Sequence, residues 1–344
     1  MTILLIVVIV AVCGYSWLNG FHDASNSVAA SVRTRALSPR VAVVLVASFT
    51  AVGTMLGALL GTRLIVRAPE FPMYEDGLAV LLCAVLAAAL WSLWTWWQKM
   101  PASSTQAILA GVLGSLTAAN LLGHGSTEDL IPYAFYGILL PLILTPIVSA
   151  LLAIGATVPV SWLMRHRTDN EASASGRIIQ SITTALLALA HGLQDGQRNA
   201  ATIVIALMVV GQPLVRGGSI LWVQILVAAW MACGVLFGGW RITHTMSTNL
   251  ARLTPMIGAT SHASSALLLY VGAFALHMPI STTQSVVSAM VGASSVKRRG
   301  FVNWKTFNHI VAYWIATPVA CSVGAGILFL AISPMLNLIH GRIH

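Results

Sequence analysis

The chain has 344 residues, of which 57% are hydrophobic and only 8% are charged, and its mean hydropathy is +0.85. About a quarter of the residues in a soluble domain are charged, so this composition excludes a pair of soluble domains. The net charge of +9 does not indicate nucleic-acid binding, because the basic residues are spread over short segments between apolar runs. Membrane proteins have such a pattern, since their basic loops stay in the cytoplasm and meet anionic lipid.

Long uncharged runs follow one another along the chain, for example between Arg40 and Arg63 and between Asp76 and Lys99. A bilayer core about 30 Å thick needs roughly 20 apolar residues as helix, so each run is long enough to cross it. The runs show no alternation of polar and apolar residues, which excludes a β-barrel. We therefore predict an all-α, polytopic integral membrane protein of the cell (plasma) membrane, with about ten transmembrane segments.

Basic residues predict the orientation of the helices. Arg33, Arg35 and Arg40 follow the first apolar run, so its C-terminal end is predicted to be cytoplasmic and the N-terminus to be outside. The same rule puts Lys297 and Lys305 in the cytoplasm, whereas the simplest count of crossings leaves them outside. The topology near these two lysines is therefore left open.

A polar, Ser/Ala-rich segment, 164–177, divides the chain into halves 1–163 and 178–344 and is predicted to be a cytoplasmic linker. The halves share an aspartate beside glycines, at Asp23 and Asp195. Both then contain a Pro-x-Ser-(Ser/Thr)-Thr-Gln cluster, a later glycine and a Thr-Pro pair, in the same order. Such repeats are found in many transporters, and an odd number of crossings in each half would invert the second repeat and put the substrate site between them.

Asp23 and Asp195 are the two acidic residues that lie in the middle of apolar segments. A carboxylate at membrane depth costs at least about 2.5–3.5 kcal/mol, so it persists only with a partner or a function. The neighbouring glycines predict broken helices with freed backbone carbonyls. Carbonyls, carboxylates and amides such as Asn26 and Gln197 together form an oxygen site that suits Na⁺, while a buried carboxylate alone could equally carry H⁺.

Two clusters of hydroxyl and amide side chains each follow a proline. Proline suits the first helical turn and Ser or Thr suits the cap, and the free N–H groups of such a terminus attract anions. We predict that the clusters form the tips of two re-entrant hairpins, which membranes tolerate where the hairpins line a cavity. The predicted anion-binding residues are Ser103, Ser104, Thr105, Gln106, Ser281, Thr282, Thr283 and Gln284.

The aspartate segments 20–27 and 190–198 resemble the two signatures of the inorganic phosphate transporter (PiT) family, and the hydroxyl clusters resemble its paired hairpin tips. The resemblance covers residues 14–320. It implies symport of phosphate with Na⁺ or H⁺, two inverted repeats, two hairpins and often a homodimer. It also implies that the hydroxyl clusters hold the anion. The implied ion and substrate centre contains Asp23, Asn26, Asp195 and Gln197.

Residues next to the aspartates are predicted to support them, namely His22, Gln194 and Arg198. The chain departs from the family where a histidine commonly follows the hydroxyl run, since it has Gln106 and Gln284 there. It also has Gln194 where the family commonly has asparagine before the second aspartate.

Other functions are weighed against phosphate symport. A sulfate or other tetrahedral oxyanion permease of the same family is the nearest alternative. A membrane-embedded enzyme using Asp23 and Asp195 is remote, because the sequence has neither a metal-ligand motif nor a sizeable polar loop. A channel fits the repeated sites less well, and without a Gly-rich phosphate loop a primary pump is not expected. No cofactor is expected beyond the coupling cation.

Overall fold

The structure, a computed structural model, describes residues 1–59, 69–124, 129–212, 221–297 and 299–340. These ranges are helical and contain no β-strand, which confirms the predicted all-α class. The end of the second predicted span, from residue 60 onward, lies outside the described residues.

The first half is helical in its described residues. They are α1 (Thr2–Arg33), α2 (Pro39–Leu59), α3 (Tyr74–Trp97), α4 (Ser104–Leu121), α5 (Leu130–Pro132) and α6 (Leu140–Leu163). A π-helical segment, Tyr133–Leu139, joins α5 to α6 without a turn between them.

The second half is also helical in its described residues and contains more π-helical interruptions. Its helices are α7 (Asp169–His191), α8 (Gln197–Val209), α9 (Leu221–Phe237), α10 (Trp240–His244), α11 (Pro255–Val271), α12 (Thr282–Lys297) and α13 (Trp304–His340). Three π-helical segments extend α7, α10 and α11, at Gly192–Gly196, Thr245–Leu250 and Gly272–Leu276.

The predicted linker 164–177 is helical in its second part, because α7 begins at Asp169. Thr168 caps this helix by accepting a hydrogen bond from the Glu171 backbone N–H at 3.3 Å. The Thr168 N–H donates to the Glu171 carboxylate at 3.1 Å and thereby lowers the pKa of that carboxyl.

Six helices in the described part of the chain are long and apolar enough to cross a membrane. A seventh span results if Leu221–Phe237 and Trp240–Leu250, bent by 55° to each other, are taken as one. The predicted number of about ten spans is therefore not confirmed. Helices α4 and α12 begin with hydroxyl residues, and polar residues interrupt the apolar faces of α7 and α8.

The outer surface of the bundle is apolar, unlike that of a soluble protein, while further apolar residues form its buried core. Large apolar side chains are exposed along the outer helices, for example Ile143 and Val319, where lipid would solvate them. Asp23 and Asp195, by contrast, are buried in the interior with serines, threonines and histidines. Polar groups at membrane depth face the interior because lipid cannot hydrogen-bond them.

The first hairpin, α3 and α4, opens towards the face where the chain begins. The Met1 ammonium lies 3.3 Å from Glu75 at the start of α3. His124, just after α4, lies 3.1 Å from Asp76 in the same first turn of α3. The hairpin therefore enters and leaves at the N-terminal face, and the residues that lead into α4, 101–103, are buried in the interior.

The second hairpin, α11 and α12, opens near the start of α7. A Cβ atom added to Gly176 of α7 would lie 2.9 Å from Pro255, the first residue of α11. The Arg252 N–H donates to the Phe301 carbonyl at 2.9 Å, which ties the segment after α12 to the segment before α11. Both ends of this hairpin thus lie beside the start of α7.

That face is the one opposite the N-terminus. Thr34, just past the end of α1, donates a 2.6 Å hydrogen bond to Gln180 near the start of α7. Lys297 and Lys305, which flank the segment after α12, consequently lie on the same face as Arg33. The charge rule and the fold agree there, and the simplest count of crossings was wrong because α11 and α12 enter and leave at one face.

The aspartate-bearing helix α1 runs without a break from Thr2 to Arg33, so the predicted break beside Asp23 was wrong. In the second half, a π-helical segment takes the place of a break.

The glycines beside the aspartates serve close packing between helices instead. A Cβ added to Gly20 would lie 2.1 Å from the Met231 carbonyl oxygen of α9, and one added to Gly192 would lie 2.0 Å from the Thr50 carbonyl oxygen of α2.

The glycines that follow the two hydroxyl clusters, Gly114 and Gly292, also allow close packing between helices. A Cβ added to Gly114 of α4 would lie 1.9 Å from the Ser322 carbonyl oxygen of α13. One added to Gly292 of α12 would lie 2.5 Å from the Ala150 carbonyl oxygen of α6. Each hairpin thus packs against the last long helix of the other half.

Candidate functional site

Asp23 lies at the meeting point of the two hairpin tips. It is 2% exposed and lies two thirds of the way along α1. Its Oδ2 accepts a 2.7 Å hydrogen bond from Ser104 Oγ, and its Oδ1 accepts a 3.2 Å bond from Thr283 Oγ1. One carboxylate therefore binds hydroxyls of both predicted anion-binding clusters.

Three neighbouring side chains complete this first half-site. The Asn26 amide donates to Thr283 Oγ1 at 3.0 Å, while Asn26 Oδ1 is buried without a hydrogen-bond partner among the described residues. His22 Nδ1 lies 3.1 Å from Asp23 Oδ1, and His22 Nε2 lies 3.2 Å from Thr95 Oγ1. Asn26 Oδ1, one helical turn after Asp23, is thus an oxygen that can bind a cation or accept a hydrogen bond.

Asp195, in the π-helical segment after α7, forms the second half-site. It is fully buried, and its Oδ1 accepts a hydrogen bond from the Arg198 guanidinium, with which it forms an ion pair. The other terminal nitrogen of that guanidinium donates a hydrogen bond to Thr105 Oγ1 in the first hairpin tip. His191 Nδ1 lies 2.8 Å from Asp195 Oδ2, at ion-pair distance but outside hydrogen-bond geometry.

The two half-sites adjoin each other. Ligand atoms of Asp23, His191 and Asp195 all lie within 4.8 Å of one another, and all three residues are buried. Carboxylate and amide oxygens suit a hard cation, and a carboxylate or imidazole can instead take up a proton. The geometry therefore fits a monovalent coupling cation as cargo, held between two halves of the chain.

The two hairpin tips have equivalent internal structures. Ser103 Oγ accepts from the Gln106 N–H at 3.2 Å, and Ser281 Oγ accepts from the Gln284 N–H at 3.3 Å. The predicted caps are thus present at the starts of α4 and α12. The side chains of Gln106 and Gln284 bind each other, and the Thr282 hydroxyl is buried with no partner in the described ranges.

The sequence predicts Gln197 as a ligand of the coupling ion and Gln194 as a support of Asp195, but both side chains bind neighbouring helices. The Gln197 amide donates to the Thr54 carbonyl at 2.6 Å and to the Gln224 side chain at 3.2 Å, so it faces α2 and α9. The Gln194 amide donates to the Leu269 carbonyl of α11 at 3.0 Å. Both side chains fasten the aspartate-bearing segment to its neighbours.

Sequence reasoning missed two residues that hold the site together. Thr95 contacts His22, and the Tyr15 hydroxyl donates to the Ser104 carbonyl at 2.8 Å. Tyr15 lies two helical turns before Asp23 on one face of α1, and this spacing could have indicated it. For Thr95 the sequence carries no signal, because its partner is 73 residues away.

A cavity of about 230 Å³ lies beside Arg198. Its walls are mostly apolar and include Phe71 before α3, Tyr133 after α5 and Met278 at the turn of the second hairpin. Arg198 and Thr202 contribute polar groups to its lining. The Arg198 side chain of the second half-site therefore borders this cavity.

Comparison with known proteins identifies the family. The phosphate transporter family model (PHO4) matches residues 19–325. The chain is 30% identical over 324 residues to the "Probable low-affinity inorganic phosphate transporter" of Bacillus subtilis, covering 94% of this chain and 96% of the relative. It is 30% identical over 333 residues to the protein of the same description from Rhizobium meliloti, covering 95% and 96%.

A solved structure has the same fold. It is titled "The sodium-dependent phosphate transporter" and matches 97% of this chain and 99% of its own, with a TM-score of 0.76 at 17% identity. The matched family and the apolar helices of this chain identify an integral membrane transporter of the plasma membrane and not an enzyme. The chain therefore belongs to the phosphate transporter family, as its motifs predicted.

Proposed function

We propose that this protein imports inorganic phosphate by secondary active transport, as a symporter driven by Na⁺ or H⁺. The observation that carries the proposal is that Asp23 binds both hairpin tips, through Ser104 and Thr283, inside the bundle. A buried carboxylate that joins two anion-binding elements links the binding of a cation to the binding of an anion. Such reciprocal linkage between two ligands is what symport requires.

The hairpin tips are the proposed phosphate site. They begin α4 and α12, whose first N–H groups carry partial positive charge. The hydroxyl oxygens of Ser103 and Ser281 accept capping bonds, but their own protons remain available to an anion. The proposed ligands are the hydroxyls of residues 103–105 and 281–283, with Gln106 and Gln284 between them.

Asp23 and Asn26 are the proposed cation ligands, and ligand atoms of Asp195 and His191 lie within 4.8 Å of Asp23. The similar structure titled as sodium-dependent supports Na⁺, which carboxylate and amide oxygens bind. His22 and His191 next to the two carboxylates would equally serve H⁺. Gln197 is not among the proposed ligands, because its amide is held by α2 and α9.

The arrangement of the hairpins supports two inverted repeats, 1–163 and 178–344, separated by the linker 164–177. One hairpin opens to the N-terminal face and the other to the face of the linker, while their tips meet at Asp23. Movement of one repeat against the other would expose this central site to each face in turn. The homodimer that the family resemblance implies stays a prediction.

The test is uptake of labelled phosphate into proteoliposomes, with a Na⁺ gradient and a pH gradient imposed separately. We expect uptake that follows one of the two gradients, that collapses when this gradient is dissipated, and that excess sulfate does not inhibit. Dissipating the other gradient is the internal control.

Two results would oppose the proposal in different ways. Uptake that equilibrates phosphate at the same rate under every gradient would exclude symport. Inhibition by sulfate would assign the protein to a broader oxyanion permease, and Gln106 and Gln284, between the hydroxyl clusters, would then be the first residues to replace.

A further inference from the structure

The two aspartates are followed by different residues at equivalent positions of the repeat. Asn26 comes three residues after Asp23, and Arg198 comes three residues after Asp195. Both are on the same helical face as their aspartate, one turn further along. A neutral amide in one half-site therefore corresponds to a permanent positive charge in the other.

In the first half-site the carboxylate touches the hydroxyls directly. Asp23 accepts hydrogen bonds from Ser104 of its own half and from Thr283 of the other half. In the described part of the chain, no lysine or arginine contacts Asp23. The buried negative charge of Asp23 is consequently matched by neutral donors and by two histidines, His22 in contact and His191 within 4.8 Å.

In the second half-site the Arg198 guanidinium lies between the Asp195 carboxylate and the Thr105 hydroxyl. Thr105 corresponds to Thr283 in the repeat, yet it reaches Asp195 only through Arg198. Thr282 corresponds to Ser104, and its hydroxyl is buried without a partner among the residues that the structure describes. Arg198 thus separates carboxylate from hydroxyl, as a bound cation would.

The charges give this arrangement a functional consequence. Arg198 neutralises Asp195 and cannot lose its proton, so the second half-site does not need a mobile cation. Asp23 remains a charge that is expensive at membrane depth, and Asn26 Oδ1 beside it is an unpaired buried acceptor. A mobile cation is therefore required only in the first half-site.

We propose that Arg198 is a tethered cation that replaces one coupling ion, so that a single mobile cation, bound at Asp23 and Asn26, accompanies each phosphate. This inference rests on the proposed symport, and Arg198 is a positioning residue in it. It holds Thr105 of the hairpin tip at Asp195 in every state of the cycle, whereas Thr283 is bound to Asp23 under control of the mobile cation.

The test compares wild type with Arg198→Asn, which recreates in the second half the Asp-x-x-Asn pattern of the first. Labelled phosphate uptake and charge movement are measured in the same proteoliposomes while the coupling cation is titrated at fixed pH. We expect a Hill coefficient for the cation of about 1 in wild type and approaching 2 in the variant, because this coefficient cannot exceed the number of sites. The variant should also move one more positive charge per phosphate than wild type. The charge of phosphate itself does not affect this difference, because it is the same in both proteins.

Two further variants make the result specific. Arg198→Lys keeps the charge but loses the fork geometry, so its rate should fall while its Hill coefficient stays that of wild type. Arg165→Asn replaces an exposed arginine that lies over Trp162, far from the site, and should change neither quantity.

Three results would overturn the inference and leave symport standing. One is a wild type that already requires two cations, which decides the matter even where Arg198→Asn fails to fold. The second is an Arg198→Asn protein with an unchanged Hill coefficient and weaker phosphate binding, which would make Arg198 an anion ligand. The third is a raised Hill coefficient in Arg198→Lys. Failure of the proposed function is recognised separately, as phosphate uptake in wild type that no cation gradient drives.

Discussion

Gln106 and Gln284, 178 residues apart in the chain, exchange two amide hydrogen bonds between the hairpin tips. Each amide donates to the oxygen of the other, at 3.4 and 3.3 Å. Both side chains are buried, so each amide satisfies a group that would otherwise lack a partner. The two halves of the protein are thereby joined between the proposed phosphate ligands.

This pair predicts non-additive effects on stability. Gln106→Leu and Gln284→Leu should each destabilise the protein by about 1–3 kcal/mol, because the remaining amide is buried and unsatisfied. The double variant should lose less than the sum, since no unsatisfied amide remains. Thermal unfolding of the purified protein in one detergent measures this, with exposed Asn308→Leu as control. Strictly additive losses would mean that the two amides act independently.

Replacing each aspartate by asparagine should show separately what its charge contributes to transport and what it contributes to stability. Asp23→Asn should abolish gradient-driven phosphate uptake yet leave the protein folded, because its neighbours are neutral donors or His22. Asp195→Asn should also abolish uptake and cost about 3–5 kcal/mol of stability, because Arg198 becomes an unpaired buried charge.

The double variant Asp195→Asn/Arg198→Asn is the control for that charge and should recover part of the stability. Uptake assays and thermal unfolding provide the two readouts. Normal driven uptake by Asp23→Asn would remove Asp23 from the cation site.

The equivalent threonines should respond differently to loss of their hydroxyls. Thr105→Val should raise the phosphate concentration needed for half-maximal uptake more than it raises the cation concentration needed. The reason is that Thr105 contacts Arg198 and not a carboxylate. Thr283→Val should raise both, because Thr283 contacts Asp23 and Asn26. Titrating phosphate and cation separately measures the two effects. An identical response of both variants would contradict the asymmetry of the half-sites.

The glycine of α1 should be required for helix packing. Gly20→Ala should destabilise the protein by about 1–3 kcal/mol, whereas Gly14→Ala should not destabilise it, since only the methyl added at Gly20 would lie 2.1 Å from the Met231 carbonyl oxygen. Nothing lies within 4 Å of the position that a methyl on Gly14 would take, so the same change on the same helix is the matched control. Thermal unfolding of both variants distinguishes packing from helix propensity, which favours alanine at either position.

The predicted inversion can be tested by labelling cysteines from each side of the membrane. Lys305→Cys should react with a membrane-impermeant thiol reagent from the same side as Arg35→Cys, and Glu75→Cys from the opposite side. The structure places the segment after α12 with the end of α1, and Glu75 with the N-terminus. Labelling of Lys305→Cys and Glu75→Cys from one side would contradict two inverted repeats.

The sequence by itself determined the class of protein, its family and the chemical groups of its site. Hydropathy and charge are local properties, and burying a charge in lipid is so costly that Asp23 and Asp195 were evident without a structure. The proline-led hydroxyl clusters were equally evident, because helix caps and anion-binding termini are set by adjacent residues. The repeat was visible for the same reason, as short motifs in one order.

The tertiary structure alone decided which of these groups meet. The partners of Asp23 and Arg198 come from other helices, and no spacing along the chain predicts that Thr105 binds Arg198 while Gln197 turns towards Gln224. The role of Gly20 was also misread, because a glycine that breaks a helix and one that admits a neighbouring backbone have the same local pattern. The number of spans and the face on which Lys305 lies depend likewise on hairpins whose turns remain inside the bundle, which is a property of packing and not of hydropathy.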